Sequence, residues 1–232
     1  MDILESVATD ARRSLILPQT DESCPAIWFR LPPGYHDIKP VGRDELEEAL
    51  TTVVGPPGNA ALSVDEALNE AGLLMDLVRD FHHHGGVHSA FGLHREGSNR
   101  ATVSFFTLSA LSTVTRDPNL AVARVASSLA QSPMWGTRSH AVLELACSLP
   151  AALVTGVLET PSKVSVFQAR LAVSYPSGAY IAVADLTSPS VEHSDAYTAI
   201  LESIGQTISF TDPNTPATSA QAGTSRILEL LP

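Results

Sequence analysis

Val164-Ser165-Val166-Phe167-Gln168-Ala169-Arg170-Leu171-Ala172-Val173-Ser174-Tyr175 is followed by Pro176-Ser177-Gly178 and then by Ala179-Tyr180-Ile181-Ala182-Val183-Ala184-Asp185-Leu186. The two flanks are rich in β-branched and aromatic residues, and the middle is turn chemistry. Strand side chains alternate, so Phe167, Ala169, Leu171, Val173 and Tyr175 share one face of the first strand. In the second strand Tyr180, Ala182, Ala184 and Leu186 share one face, and Ile181 and Val183 share the other. A short turn between two such runs predicts an antiparallel hairpin.

A helix follows. Ser190 or Ser194 serves as its cap, Asp195 suits the positive first turn, and Gly205 suits the stop. Tyr197, Ile200, Leu201 and Ile204 stand at helical spacing and form one apolar stripe. Thr207-Ile208-Ser209-Phe210 reads as a closing strand or edge segment. Strand, turn, strand, helix and strand in this order predict a sheet with a helix across one face, begun upstream at Trp28 and completed here.

Upstream, residues 2–17 carry Leu4, Val7, Ala8, Ala11 and Leu15 on one side, which predicts an amphipathic helix. Ala26 to Leu31 reads as a strand ended by Pro32-Pro33-Gly34, and His36-Asp37-Ile38 as a return strand. Two helices are predicted next, over about 43–54 and from the capping box Ser63-x-x-Glu66 to Phe81. Gly55-Pro56-Pro57-Gly58 between them lacks the Gly-Lys-Ser/Thr ending of a phosphate-binding loop. Val87 to Glu96 alternates, with His88, Ala90, Gly92 and His94 on one face, and Ala101 to Val114 is its partner strand. Asp117-Pro118 opens a helix to about Gln131 that turns Val122, Val125, Ala126 and Leu129 inward. Ser132 to Gly136 reads as a break, and His140–Ser148 and Ala151–Leu158 as strands.

The fold class is therefore α+β, an antiparallel β-sheet flanked by helices. Residues 1–23 form an N-terminal helix and connection, and 24–211 a single domain. Residues 212–232 form a flexible linker, rich in Thr, Ala, Pro, Ser and Gly, with an apolar tail.

The chain has 232 residues, 14 Lys+Arg against 25 Asp+Glu, and a formal net charge of −11, which argues against nucleic acid or an anionic membrane surface as the main partner. Lys39 and Lys163 are the only lysines, a hint of GC-rich bacterial coding. Cys24 and Cys147 lie far apart and give neither a metal spacing nor a disulfide framework. They read as reduced thiols of a cytoplasmic protein. No run of about 18 apolar residues predicts a membrane span, and the acidic start, Met1-Asp2-Ile3-Leu4-Glu5, does not read as a secretory leader.

Two stretches resemble the PsbP-like superfamily, to which the LpqN-type proteins of actinobacteria belong. They are Ile27-Trp28-Phe29-Arg30-Leu31-Pro32-Pro33-Gly34-Tyr35 and the ending Tyr197-x-x-x-Leu201-x-x-Ile204 with Ile208-x-Phe210. The resemblance covers roughly residues 26–211. It implies an α/β/α sandwich used for binding other proteins rather than for catalysis, and it carries over no site residue. The chain departs from the lipoprotein members, because Thr20-Asp21-Glu22-Ser23 before Cys24 is no lipobox.

The histidines offer the best chemical candidate. His82, His83 and His84 end a helix, and His88 and His94 share a strand face. Neutral imidazoles bind zinc, but adjacent histidines on one helix diverge, and no HExxH or Cys spacing supports them. No metal or other cofactor is assigned. His193-Ser194-Asp195 and Ser139-His140 hold the letters of catalytic groups, but neighbours in sequence cannot converge as a triad must. Glu144, Glu159 and Asp185 are carboxylates that a sheet can bring together. The tail residues Ile227, Leu228, Leu230 and Leu231 need a place to bury, on a groove or sheet edge of their own domain or on a partner. The expected function is a non-catalytic, cytoplasmic protein-binding module: an adaptor, chaperone or assembly subunit of a bacterial complex, with a secretion-associated chaperone as one version. The alternative is a metal-dependent or small-ligand enzyme using the His82–His94 region.

Overall fold

A computed structural model of the chain describes residues 15–16, 26–38, 86–96, 100–131, 135–159 and 165–213. The strands among them are β1 (Leu15–Ile16), β2 (Trp28–Phe29), β3 (Tyr35–Asp37), β4 (Gly86–Glu96), β5 (Arg100–Ser112), β6 (Trp135–Glu144), β7 (Pro150–Glu159), β8 (Ser165–Ser174) and β9 (Tyr180–Ser188). The helices are α1 (Pro118–Gln131) and α2 (Ser194–Gln206), the latter entered through a 3-10 turn at Val191–His193.

β3 to β9 form a seven-stranded sheet of order β3-β4-β5-β9-β8-β7-β6, antiparallel throughout. β4 and β5 are neighbours in sequence and in space. α1 then carries the chain to the far edge, and β6 to β9 return as a meander until β9 closes on β5. The expected hairpin is β8–β9, with Phe167 opposite Ser188 and Ser174 opposite Ile181. Its turn is closed by the Gly178 amide donating to the Tyr175 carbonyl at 2.9 Å.

The alternation divides the core as the residue pattern predicts. Phe167, Ala169, Leu171 and Val173 of β8 and Ala182, Ala184 and Leu186 of β9 pack with the α2 stripe of Tyr197, Ile200, Leu201 and Ile204. Ala172, Ile181 and Val183 instead meet Ala121 and Val125 of α1. The two helices thus cover opposite faces of the sheet. Asp117 caps α1 through Oδ1, which accepts from the Asn119 and Leu120 amides at 2.9 and 3.3 Å. Each large α2 side chain buried on the sheet contributes at most roughly 1.5–3 kcal/mol before entropy is subtracted.

Several expectations are corrected. The sheet does not begin at Trp28. β2 pairs with β1 in a separate two-stranded ribbon, and Trp28 also exchanges backbone hydrogen bonds with Ser209 at 2.8 and 2.9 Å. Ile27 and Phe29 are nonetheless buried, so core contact rather than sheet pairing anchors this segment. Thr207–Phe210 is accordingly a single bridge to Trp28 and not a strand of the main sheet. Leu15–Ile16, read as the end of a helix, is strand β1, because pairing with Phe29 and Trp28 overrides local periodicity.

β6 starts at Trp135, five residues before the expected start at His140. Gly136 marks the register shift between Trp135 and Arg138 rather than a loop, and Trp135 is buried opposite Leu158. The strand ends at Glu144, and the expected extension to Ser148 is a turn in which the Ser148 amide donates to the Leu145 carbonyl.

The start and stop of α2 differ as well. His193 occupies the cap position without a side-chain cap hydrogen bond, and Ser194 is already helical. Gly205 does not stop the helix but lies within it, where an added Cβ would come 2.6 Å from Leu171 Cδ2. The glycine lets α2 approach β8. The predicted helices over 43–54 and 63–81, most of the N-terminal helix, His82–His84, Cys24 and the tail from 214 lie outside the described residues.

Candidate functional site

Tyr35, Gly92 and Ser104 stand in one row across β3, β4 and β5. Gly92 has no side chain, so Tyr35 crosses over it and its hydroxyl lies 2.8 Å from Ser104 Oγ. From two residues along β4, His94 leans back over the same gap and brings Nε2 to 2.7 Å from Ser104 Oγ. A Cβ at Gly92 would lie 2.8 Å from His94 Nε2, Ser104 Oγ and Tyr35 Cζ alike. Tyr197 of α2 closes the cluster, its ring edge-on to His94 at 5.5 Å and its hydroxyl donating to Thr102 Oγ1 at 2.9 Å. His193 adds a ring 6.5 Å from Tyr197.

Serine within hydrogen-bond reach of an imidazole nitrogen is the pair used by nucleophilic enzymes. The environment here opposes that chemistry. Ser104 is 0% exposed, and its hydroxyl already serves two partners. Burial lowers the His94 pKa from 6.5 to about 4, so the ring is neutral at neutral pH and a poor proton acceptor. Burial also pushes the Tyr35 phenol above its ordinary range, although the Ser104 hydrogen bond pulls the other way. With a protonated phenol and a neutral imidazole, Ser104 Oγ accepts from one of the two neighbours and donates to the other, and the His94 tautomer sets the direction. The cluster is a closed polar lock between three strands and α2.

His88 shares the β4 face with His94, as the alternation predicts, but six residues of strand separate them by roughly 20 Å. They cannot hold one ion, whose ligands must lie about 2 Å from it. His88 instead sits near the β3 edge, with Nε2 3.5 Å from Asp37 Oδ1 and its ring 5.4 Å from Phe29. Among the described residues no three His, Cys, Asp or Glu are grouped as metal ligands.

The three carboxylates do not converge. Glu144 lies opposite Pro150 at the start of β7 and Glu159 at its end, roughly 30 Å away along the strand. Asp185 is on the α1 face, ion-paired with Arg170 of the neighbouring strand. Burial pushes the Asp185 carboxyl up, and the Arg170 charge and hydrogen bond oppose that push. His193, Ser194 and Asp195 run from the helix cap into the first turn. Ser139 and His140 are both exposed and alternate to opposite faces of β6.

Two surface features complete the picture. A cleft of about 270 Å³ is lined by Trp28, Phe29, Arg30, Gln206, Thr207, Ser209 and Pro213. It falls just below the usual size of a small-molecule site. The other feature is the β6 edge, which sequence reasoning missed. Among the described residues β6 pairs only with β7, whereas the opposite edge, β3, is three residues long. Ser139, His140, Ala141 and Val142 are exposed in succession, so both faces of the strand are open there, and Val142 is 86% exposed. β6 carries neither proline nor lysine, and its edge-blunting devices are the charges at Arg138 and Glu144 and the register shift before Arg138. Only the short apolar run Ala141-Val142-Leu143 signals a strand in the sequence, and an edge is a property of pairing order that no local pattern encodes.

No family model matches the sequence, and no curated protein matches it. The chain is loosely similar to the crystal structure of LpqN, involved in cell envelope biogenesis of Mycobacterium tuberculosis. The match has 11% sequence identity and a TM-score of 0.45, over 85% of this chain and 90% of that one. Among the described residues no helix is long and apolar enough to cross a membrane.

Proposed function

We propose that this chain is a non-catalytic protein-binding module, an adaptor, chaperone or assembly subunit of a bacterial complex, that engages its partner by strand addition on β6. The observation that carries this reading is the run from Ser139 to Val142, exposed on both faces of a ten-residue strand that, among the described residues, pairs only with β7. Such an edge offers unpaired main-chain donors and acceptors for affinity, and alternating side chains for selectivity. The enclosure of Ser104 and His94 supports a structural role for the polar cluster and a function without catalysis. The apolar tail Ile227, Leu228, Leu230 and Leu231 supplies a second contact on the partner. The antiparallel sheet with helices on both faces supports a place among PsbP-like sandwiches.

The test is affinity capture from the native host with the full chain, its Val142→Lys variant and a chain lacking 214–232, followed by native mass spectrometry. A partner held by the full chain and lost with Val142→Lys is the expected result. A partner held equally by both removes the edge from the account. Catalytic turnover abolished by Ser104→Ala in a folded protein removes the non-catalytic reading.

A further inference from the structure

The β6 edge is charged in a way that matches itself. From Arg138 to Glu144 the strand keeps seven consecutive register pairs with β7, and the register shift lies before Arg138. Ala141 is the midpoint of this regular stretch. An antiparallel strand from a second copy, centred on Ala141, sets Arg138 against Glu144 of the second copy and Glu144 against Arg138 of the second copy. His140 then faces Val142, and Ser139 faces Leu143. Both charge pairs stand directly opposite and not on the diagonal, which is where cross-strand pairs act most strongly. Moving the axis by one residue breaks the match. About His140, Arg138 meets Val142 and His140 meets its own copy. About Val142, His140 meets Glu144, but Arg138 meets Ala146, beyond the end of the strand, so the Arg–Glu match is lost.

We propose that the β6 edge is the interface of a symmetric homodimer, two copies joined antiparallel about Ala141 in one continuous sheet. The proposal rests on the reading of β6 as a protein-binding edge and names a second copy of this chain as the occupant. A two-fold axis requires that if one residue contacts another, the reverse contact also exists. The Arg138 and Glu144 positions meet that condition with opposite charges at both ends. The pairing covers Val142, 86% exposed in the single chain. It also gives main-chain partners to the long edge while the three-residue edge at β3 stays short. Ser139 to Val142 are exposed, and at the end of the strand the Gln206 side chain holds the Glu144 carbonyl and the Ala146 amide.

Sedimentation equilibrium on the full chain, at physiological ionic strength, tests it. The unaltered chain is expected to be dimeric. Arg138→Glu and Glu144→Arg each create two like-charge pairs, so each raises the dimer dissociation constant by at least about tenfold. The double variant restores both pairs and returns it to within about threefold of the unaltered value. That rescue separates an interface effect from a folding defect in either single variant. A chain that stays monomeric at the highest attainable concentration overturns the proposal, and so do single variants that remain fully dimeric or a double variant without rescue. A monomer whose other partner is lost with Val142→Lys overturns the dimer alone and leaves the protein-binding reading standing. A monomer whose β6 amides exchange faster once 214–232 are removed assigns the edge to the chain's own tail and overturns the dimer.

Discussion

Gly92 shows how an absent side chain organises those around it. Tyr35 and His94 reach one serine hydroxyl because nothing occupies the space between them. The alternation that puts His88 and His94 on one face of β4 was legible in the sequence. The network was not, because Tyr35, Ser104, Thr102 and Tyr197 come from three other elements whose pairing no local pattern records. Ser104→Ala leaves the buried Tyr35 hydroxyl and the part-buried His94 Nε2 without this partner. The expected loss is about 1–3 kcal/mol of unfolding free energy, read from urea denaturation. A loss within experimental error would mean that the hydroxyl does not hold the cluster. The His94 pKa gives a pH dependence with a definite sign. Its folded value, about 4, lies below the ordinary 6.5, so the unfolded chain takes up the proton first. The stability that comes from keeping His94 neutral is intact above 6.5 and is lost progressively as pH falls towards 4. His94→Gln removes this slope. Thermal melting of both proteins across that window is expected to show a steeper decline for the unaltered chain, and parallel declines would contradict the assignment.

Among the elements, those carrying their own signals were legible. β8, β9 and α1 match the predicted spans closely, because alternation, turn residues and the Asp117-Pro118 cap act locally. α2 was legible in its stripe and misread at Gly205, where a local stop rule competes with a packing demand. Gly205→Ala separates the two. Alanine raises helix propensity by up to about 1 kcal/mol. Its Cβ, however, would come 2.6 Å from a methyl of fully buried Leu171, and overpacking a core costs roughly 1–3 kcal/mol. The expected outcome is a net loss of about 1 kcal/mol in urea denaturation. A gain would show that packing against Leu171 does not require the glycine. β2 was misread for a different reason. Its apolar residues are buried as the pattern demands, but burial does not specify which strand it pairs with.

At the scale of the molecule, the sequence predicts an antiparallel sheet with helices, and the pairing order β3-β4-β5-β9-β8-β7-β6 goes beyond what it encodes locally. Among the described residues that order leaves β6 at an edge and brings β9 to the centre. The sequence pointed to histidines and an apolar tail. The fold sets His94 in a polar cluster and, among the described residues, leaves Ser139 to Val142 exposed on an edge strand, while the tail lies outside the described residues. Protein binding through that strand is the central claim. Hydrogen exchange of the Ser139–Glu144 amides tests it most directly, compared between the dilute single chain and the assembled form recovered from cells. The account expects these amides to exchange markedly more slowly in the assembled form than in the single chain. Unchanged exchange along β6, with new protection confined to other elements, would contradict it.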